Sequence, residues 1–136
     1  MECFSVRFLS DGRPYVATDV LSGVGFEMAS QYRSPLPVGQ VFEINFSTFT
    51  PRITIHCERK LTVEIIAGDN IGFSDTVEYE AVAVRDSLVI LSWQEHIGST
   101  IVHVLDFTSC KAYIAVTPAK GEFMRLMGQI EVKYEA

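Results

Sequence analysis

Glu95 closes the run Leu88-Val89-Ile90-Leu91-Ser92-Trp93-Gln94-Glu95, in which a period of two puts Val89, Leu91, Trp93 and Glu95 on one face. A carboxyl that shares an apolar face with a tryptophan is a candidate proton-transfer group. Desolvation disfavours its charged form and raises its pKa toward neutrality unless a cation or several donors meet it. The bland reading is that Glu95 stands at the wet end of its strand and closes the turn to Gly98. His103 follows in the next run, at the parity of Ile101, Leu105 and Phe107. An inward His103 would face Glu95 across a hairpin and act beside it as a second catalytic candidate. The other parity, Val102, Val104 and Asp106, is comparably apolar, so the pattern leaves the face of His103 open. His96 adjoins Glu95 and points to the opposite side, and His56 falls on the polar parity of its own run.

The elements that must position these groups are strands. From Val41 onward apolar residues alternate in short runs separated by turn chemistry, which predicts strands over Val41–Thr48, Arg52–Cys57, Lys60–Ile66, Thr76–Val84, Leu88–Glu95, Thr100–Phe107, Lys111–Thr117 and Phe123–Tyr134. The links carry Gly, Pro, Asp, Asn and Ser: Gly68-Asp69-Asn70, Arg85-Asp86-Ser87, His96-Ile97-Gly98-Ser99 and Pro118-Ala119-Lys120-Gly121. Short links make sequence neighbours into hairpins. The expected fold is all-β, a meander of about eight antiparallel strands closing into a barrel whose interior admits side chains or one small ligand.

Alternation also assigns faces. Ile53, Ile55, Leu61, Val63 and Ile65 should point inward, and Thr54, His56, Thr62 and Glu64 outward. In the last strand Gly128, Ile130, Val132 and Tyr134 should be inside, and Gln129, Glu131 and Lys133 outside. Residues 39–136 are read as the barrel domain, and residues 1–38 as an irregular N-terminal extension or lid. In that extension Glu2–Leu9 reads as a strand able to pair across a homodimer. Val20–Tyr32 fits either a short amphipathic helix interrupted by Gly23 and Gly25 or part of the lid.

A formal net charge of −6, with no basic cluster beyond Arg59 and Lys60, argues against nucleic acid as a partner. The apolar runs are too short to span a membrane as helices, and the N-terminus lacks the pattern of a signal peptide. Cys3, Cys57 and Cys110 are an odd set without metal-ligand spacing, and read as reduced thiols of a cytoplasmic protein. No His, Cys and Glu spacing suggests a metal site, and Gly23-Val24-Gly25 is an isolated fragment rather than a dinucleotide fingerprint. No cofactor is expected. The partner expected instead is a small apolar or aromatic molecule, walled by Trp93, Leu91, Phe46, Phe73, Tyr79, Phe107 and Tyr113.

The segment Leu91-Ser92-Trp93-Gln94-Glu95-His96-Ile97-Gly98-Ser99-Thr100, followed by Val102-His103-Val104-Leu105-Asp106-Phe107, resembles the core of the MoaF-related proteins. Val77–Ala81 and Phe123–Ile130 fit the same pattern. The resemblance covers about Gly39 to Tyr134 and implies a calycin-type, lipocalin-like barrel. Its Ser-Trp-x-Glu-x-x-Gly-[Ser/Thr] run is also similar to the phenolic acid decarboxylases. These are barrels without a cofactor that hold a hydroxycinnamate with two tyrosines, an arginine and a glutamate. The glutamate of that pattern corresponds to Glu95. Ile44 and Phe46 stand where the tyrosines would fall, and no arginine lies near Gly72 and Phe73. The resemblance therefore implies a barrel with one inward acid, without the means to hold a carboxylate substrate. The reading it supports is a cofactor-independent lyase, isomerase or cyclase acting on an apolar or phenolic molecule, with a non-catalytic lipocalin-like carrier as the alternative.

Overall fold

The computed structural model describes residues 34–134, together with the backbone of two short N-terminal strands, β1 (Val6–Phe8) and β2 (Pro14–Val16). These two pair antiparallel as a separate ribbon. The remainder of the Glu2–Leu9 run, and residues 20–32, lie outside the described residues.

Eight strands form the closed barrel: β3 (Val41–Asn45), β4 (Phe49–Ile55), β5 (Lys60–Gly68), β6 (Ser74–Arg85), β7 (Leu88–Gln94), β8 (Thr100–Asp106), β9 (Lys111–Thr117) and β10 (Met124–Tyr134). Each pairs antiparallel with its sequence neighbour, and β10 returns to β3 through Gln129↔Asn45 and Ile130↔Ile44. Closure leaves the barrel without an edge strand. Pro51 stands inside β4 rather than in the turn before it. The ladder to β5 shifts between Thr50 and Pro51, and such a bulge is where a residue lacking an N–H is tolerated.

The inward set is the expected one on most strands. Ile53, Ile55, Leu61, Val63, Val89, Leu91, Ile101, Leu105, Ile114 and Ile130 are all buried in one core, and Ile65 is buried as well. On the outer wall Arg52 lies between its register partners Glu43 and Glu64, with its guanidinium 3.0 Å from the Glu43 carboxylate. Tyr134 departs from expectation. It shares the parity of Ile130, but a bulge between Val132 and Tyr134 shifts the end of β10, and the ring is exposed.

The cysteines also depart from expectation. Cys57 is disulfide-bonded, Cys110 is free and exposed, and Cys3 lies outside the described residues. A disulfide removes the ground on which three reduced thiols indicated a cytoplasmic compartment. Among the described residues no helix is long and apolar enough to cross a membrane.

An up-and-down barrel sends alternate hairpins to opposite ends. The links β3–β4, β5–β6, β7–β8 and β9–β10 share one end, and β4–β5, β6–β7 and β8–β9 share the other. Gly68, at φ +82°, shapes the first of these ends: a Cβ there would lie 2.2 Å from the carbonyl oxygen of Thr48, so the β5 exit lies directly against the β3–β4 turn.

Candidate functional site

The end carrying the β3–β4, β5–β6, β7–β8 and β9–β10 links opens into a cavity of about 510 Å³. All four links and the strand ends beside them contribute to its wall: Thr48 with Phe49 at the start of β4, then Asp69, Asn70 and Phe73, then Glu95, Ile97 and Ser99, then Pro118 with Met124 at the start of β10. Deeper in, Ile65, Trp93, Ile101, His103, Ile114 and Val116 continue it. The wall is mainly apolar with few polar groups, the usual character of a small-molecule site.

Glu95 is fixed there by its turn. Its N–H donates to the carbonyl of Ser99, and its own carbonyl accepts from the N–H of Gly98, both at 2.8 Å. Gly98 has φ +100°, a left-handed conformation suited to glycine in a hairpin of this length. The Glu95 side chain turns inward and accepts a hydrogen bond from the indole N–H of Trp93, 3.2 Å from Oε2. Burial raises the pKa of Glu95. The Trp93 bond acts against that rise, and the Asp75 carboxylate adds to it. Asp75 is held by His96, accepting from its backbone N–H at 2.8 Å and lying 2.7 Å from its Nδ1.

His103 faces inward, settling the parity that the sequence left open, and is 1% exposed. Its ring lies 5.0 Å from that of Trp93 and 6.3 Å from that of Phe46, tilted by 33° and 34°. Neither imidazole nitrogen has a hydrogen-bond partner. Burial pushes its pKa down to about 3 against an opposing influence of the backbone of its register partner Leu91, so the ring is neutral at physiological pH. Glu95 and His103 thus line one cavity without bonding to each other, and the Trp93 indole touches both.

Of the residues expected in the wall, Trp93 and Phe73 line the cavity. Leu91 and Phe46 are buried in the packed core instead. Tyr79 is also in the core, its hydroxyl donating to the Cys57 carbonyl at 2.7 Å, toward the opposite end of the barrel. Phe107 follows β8 at that opposite end, edge-on to Phe42 with ring centroids 5.7 Å apart. Tyr113 lies on the outer surface, 49% exposed, because on β9 the inward parity belongs to Ala112, Ile114 and Val116. Wall residues not anticipated include Phe49, Asp69, Ser99 and Met124. The signal for them was topological, since every second link of a meander meets at one end.

Among the described residues no three His, Cys, Asp or Glu side chains gather as a metal site. Residues 38–131 match the MoaF-like family. The chain belongs to the MoaF-like family. A solved structure from Burkholderia vietnamiensis, described as a "putative beta-lactamase", is similar with a TM-score of 0.71 and 27% identity, over 74% of this chain and 99% of that one. No curated protein sequence matches the chain. The matched stretch of the MoaF-like chain contains the complete cavity wall from Thr48 to Leu126.

Proposed function

We propose that this MoaF-like protein is a cofactor-independent enzyme that moves a proton on a small, mainly apolar or phenolic molecule enclosed at the barrel mouth. Glu95 serves as acid or base, in a lyase, isomerase or cyclase step. The observation that carries the reading is the Glu95 carboxyl, turned into an apolar cavity against Trp93 with its pKa raised by burial. A carboxyl so placed keeps its proton to higher pH than an exposed glutamate does, and enclosure supplies the positioning. The neutral His103 offers the substrate a second polar contact within the same cavity. The description of the Burkholderia protein lends support to an enzyme on this barrel.

A carrier is the second reading. It is favoured by the apolar wall and by the burial of both His103 nitrogens, which leaves Glu95 as the more accessible polar group. Proton NMR in heavy water separates the two. Across a panel of phenols and enolisable cyclic ketones, the enzyme should speed exchange of carbon-bound hydrogen for deuterium in at least one member. Glu95→Gln should slow that exchange by on the order of 100-fold or more while binding persists. Exchange surviving in Glu95→Gln would overturn the role of Glu95. Binding without exchange anywhere in the panel would favour the carrier.

A further inference from the structure

Among the described residues the charged side chains of the cavity wall are two acids, Asp69 from the β5–β6 link and Glu95 from the β7–β8 link, with neither lysine nor arginine beside them. A third acid, Asp75, stands close enough to Glu95 to raise its pKa further. Glu95 is partly desolvated at this mouth and Asp69 is exposed at the same opening, so the negative charge there disfavours an anionic ligand, and a cation placed beside Glu95 relieves its desolvation. Phe49, Phe73 and Trp93 supply aromatic surface around the same opening, and aromatic faces attract an ammonium through the ring quadrupole. At the inner end of the cavity the requirement reverses. His103 is buried and uncharged, so that end takes no second positive charge, yet its two nitrogens are unpaired polar atoms.

We infer that the natural ligand is an organic amine with a compact aromatic or alicyclic body, its ammonium between Glu95 and Asp69 and a hydroxyl on its inner end directed at His103. The reading deepens the proposed function, since it rests on the same cavity and on Glu95, and it specifies the class of molecule that enters. The inner contact requires the Trp93 ring, tilted against His103 at 5.0 Å, to give way as the ligand's hydroxyl arrives. One oxygen that both donates and accepts then satisfies a neutral imidazole in either tautomer.

Four probes of matched shape test the inference by affinity alone: phenethylamine, tyramine, 4-ethylphenol and 3-(4-hydroxyphenyl)propionate. Trp93 is the sole tryptophan of the chain, so its fluorescence reports occupancy of the cavity, with calorimetry as the second measurement. Phenethylamine should bind about tenfold or more tighter than 4-ethylphenol, and the propionate should bind weakest. Tyramine should exceed phenethylamine by about threefold to tenfold, an advantage lost in His103→Leu and partly kept in His103→Gln. In Glu95→Gln and in Asp69→Asn the preference for amines over 4-ethylphenol should shrink, with circular dichroism and thermal unfolding showing that the variants are folded. The inference is overturned if the propionate binds as well as the amines, if the amine preference survives the combined Glu95→Gln and Asp69→Asn change, or if none of the four binds. Because these are affinities, they stand or fall independently of the deuterium exchange that tests catalysis.

Discussion

The two ends of this barrel are built by the same hairpin rule and filled in opposite ways. At the β4–β5, β6–β7 and β8–β9 end the interior is closed by hydrocarbon. Phe42 is fully buried and meets Phe107 edge-on, Leu36 is 1% exposed, and the Tyr79 hydroxyl is satisfied by the Cys57 carbonyl. At the other end the interior stays open, and its wall keeps a carboxyl with a raised pKa and an imidazole with no partner. A core built only for stability resembles the first end, because an unpaired buried polar group costs roughly 1–3 kcal/mol. The closed end keeps one such atom, Gln40 Oε1, whereas the mouth keeps both His103 nitrogens together with a carboxyl of raised pKa, so more stability is surrendered at the mouth, the usual pattern of a binding or reacting site.

The comparison breaks most sharply at Phe42. Phe42→Ala should destabilise the protein by about 3–5 kcal/mol, the range for removing a fully enclosed aromatic ring, as measured by urea unfolding. Probe binding at the mouth should change little in the folded fraction. A loss below about 1 kcal/mol would mean that the closed end is loosely filled and that the contrast is mistaken.

Much of this architecture was legible in the sequence, and the gaps have physical causes. Strand boundaries followed from period-two runs and turn residues, and the inward placement of Trp93 with Glu95 followed from parity alone. His103 was undecidable because β8 is apolar on both faces. The outward residues Val82, Ile90, Val104, Tyr113 and Met127 are successive register partners, forming an apolar row across five strands of the outer wall. That row imitates a core and also explains why Tyr113 read as a wall residue. Phe46 and Leu91 lie at the right parity and beside lining residues, Leu91 as the register partner of His103 and Phe46 against the Phe49 ring, yet both are enclosed by the core, and which inward residues border open space depends on side-chain packing, which alternation does not encode. The Cys57 disulfide was invisible for a related reason, since cysteine spacing does not state which chain segments meet.

His103 sharpens the contrast through pH. Its folded pKa, about 3, lies below its unfolded value near 6.5, so between those values the unfolded chain holds the extra proton. The neutral form is the one the fold accepts. The stability it permits is fully present above about pH 6.5 and declines as the pH falls, by about 1.4 kcal/mol per pH unit from this group. His103→Leu should flatten that acid limb in unfolding curves taken at a series of pH values. At pH 7 it should also stabilise the protein by about 1–3 kcal/mol, because two unpaired nitrogens leave the interior. An acid limb unchanged in His103→Leu would show that the imidazole is paired or hydrated within the cavity.

The smallest effect on stability is expected at the residue with the largest role in the proposed chemistry. Glu95 sits at a half-open mouth, so Glu95→Gln should shift the unfolding free energy by no more than about 0.5 kcal/mol. The sign is argued from the raised pKa: the folded state prefers the protonated, uncharged form, so an uncharged amide at pH 7 should be neutral to slightly stabilising. The Trp93 indole still finds an acceptor in the Gln carbonyl, which keeps the geometry at the mouth. Thermal unfolding of Glu95→Gln beside Phe42→Ala therefore compares the two ends directly. If Glu95→Gln instead destabilises strongly, the carboxylate is holding the mouth together as a structural ion, and the site has to be reassigned to the scaffold.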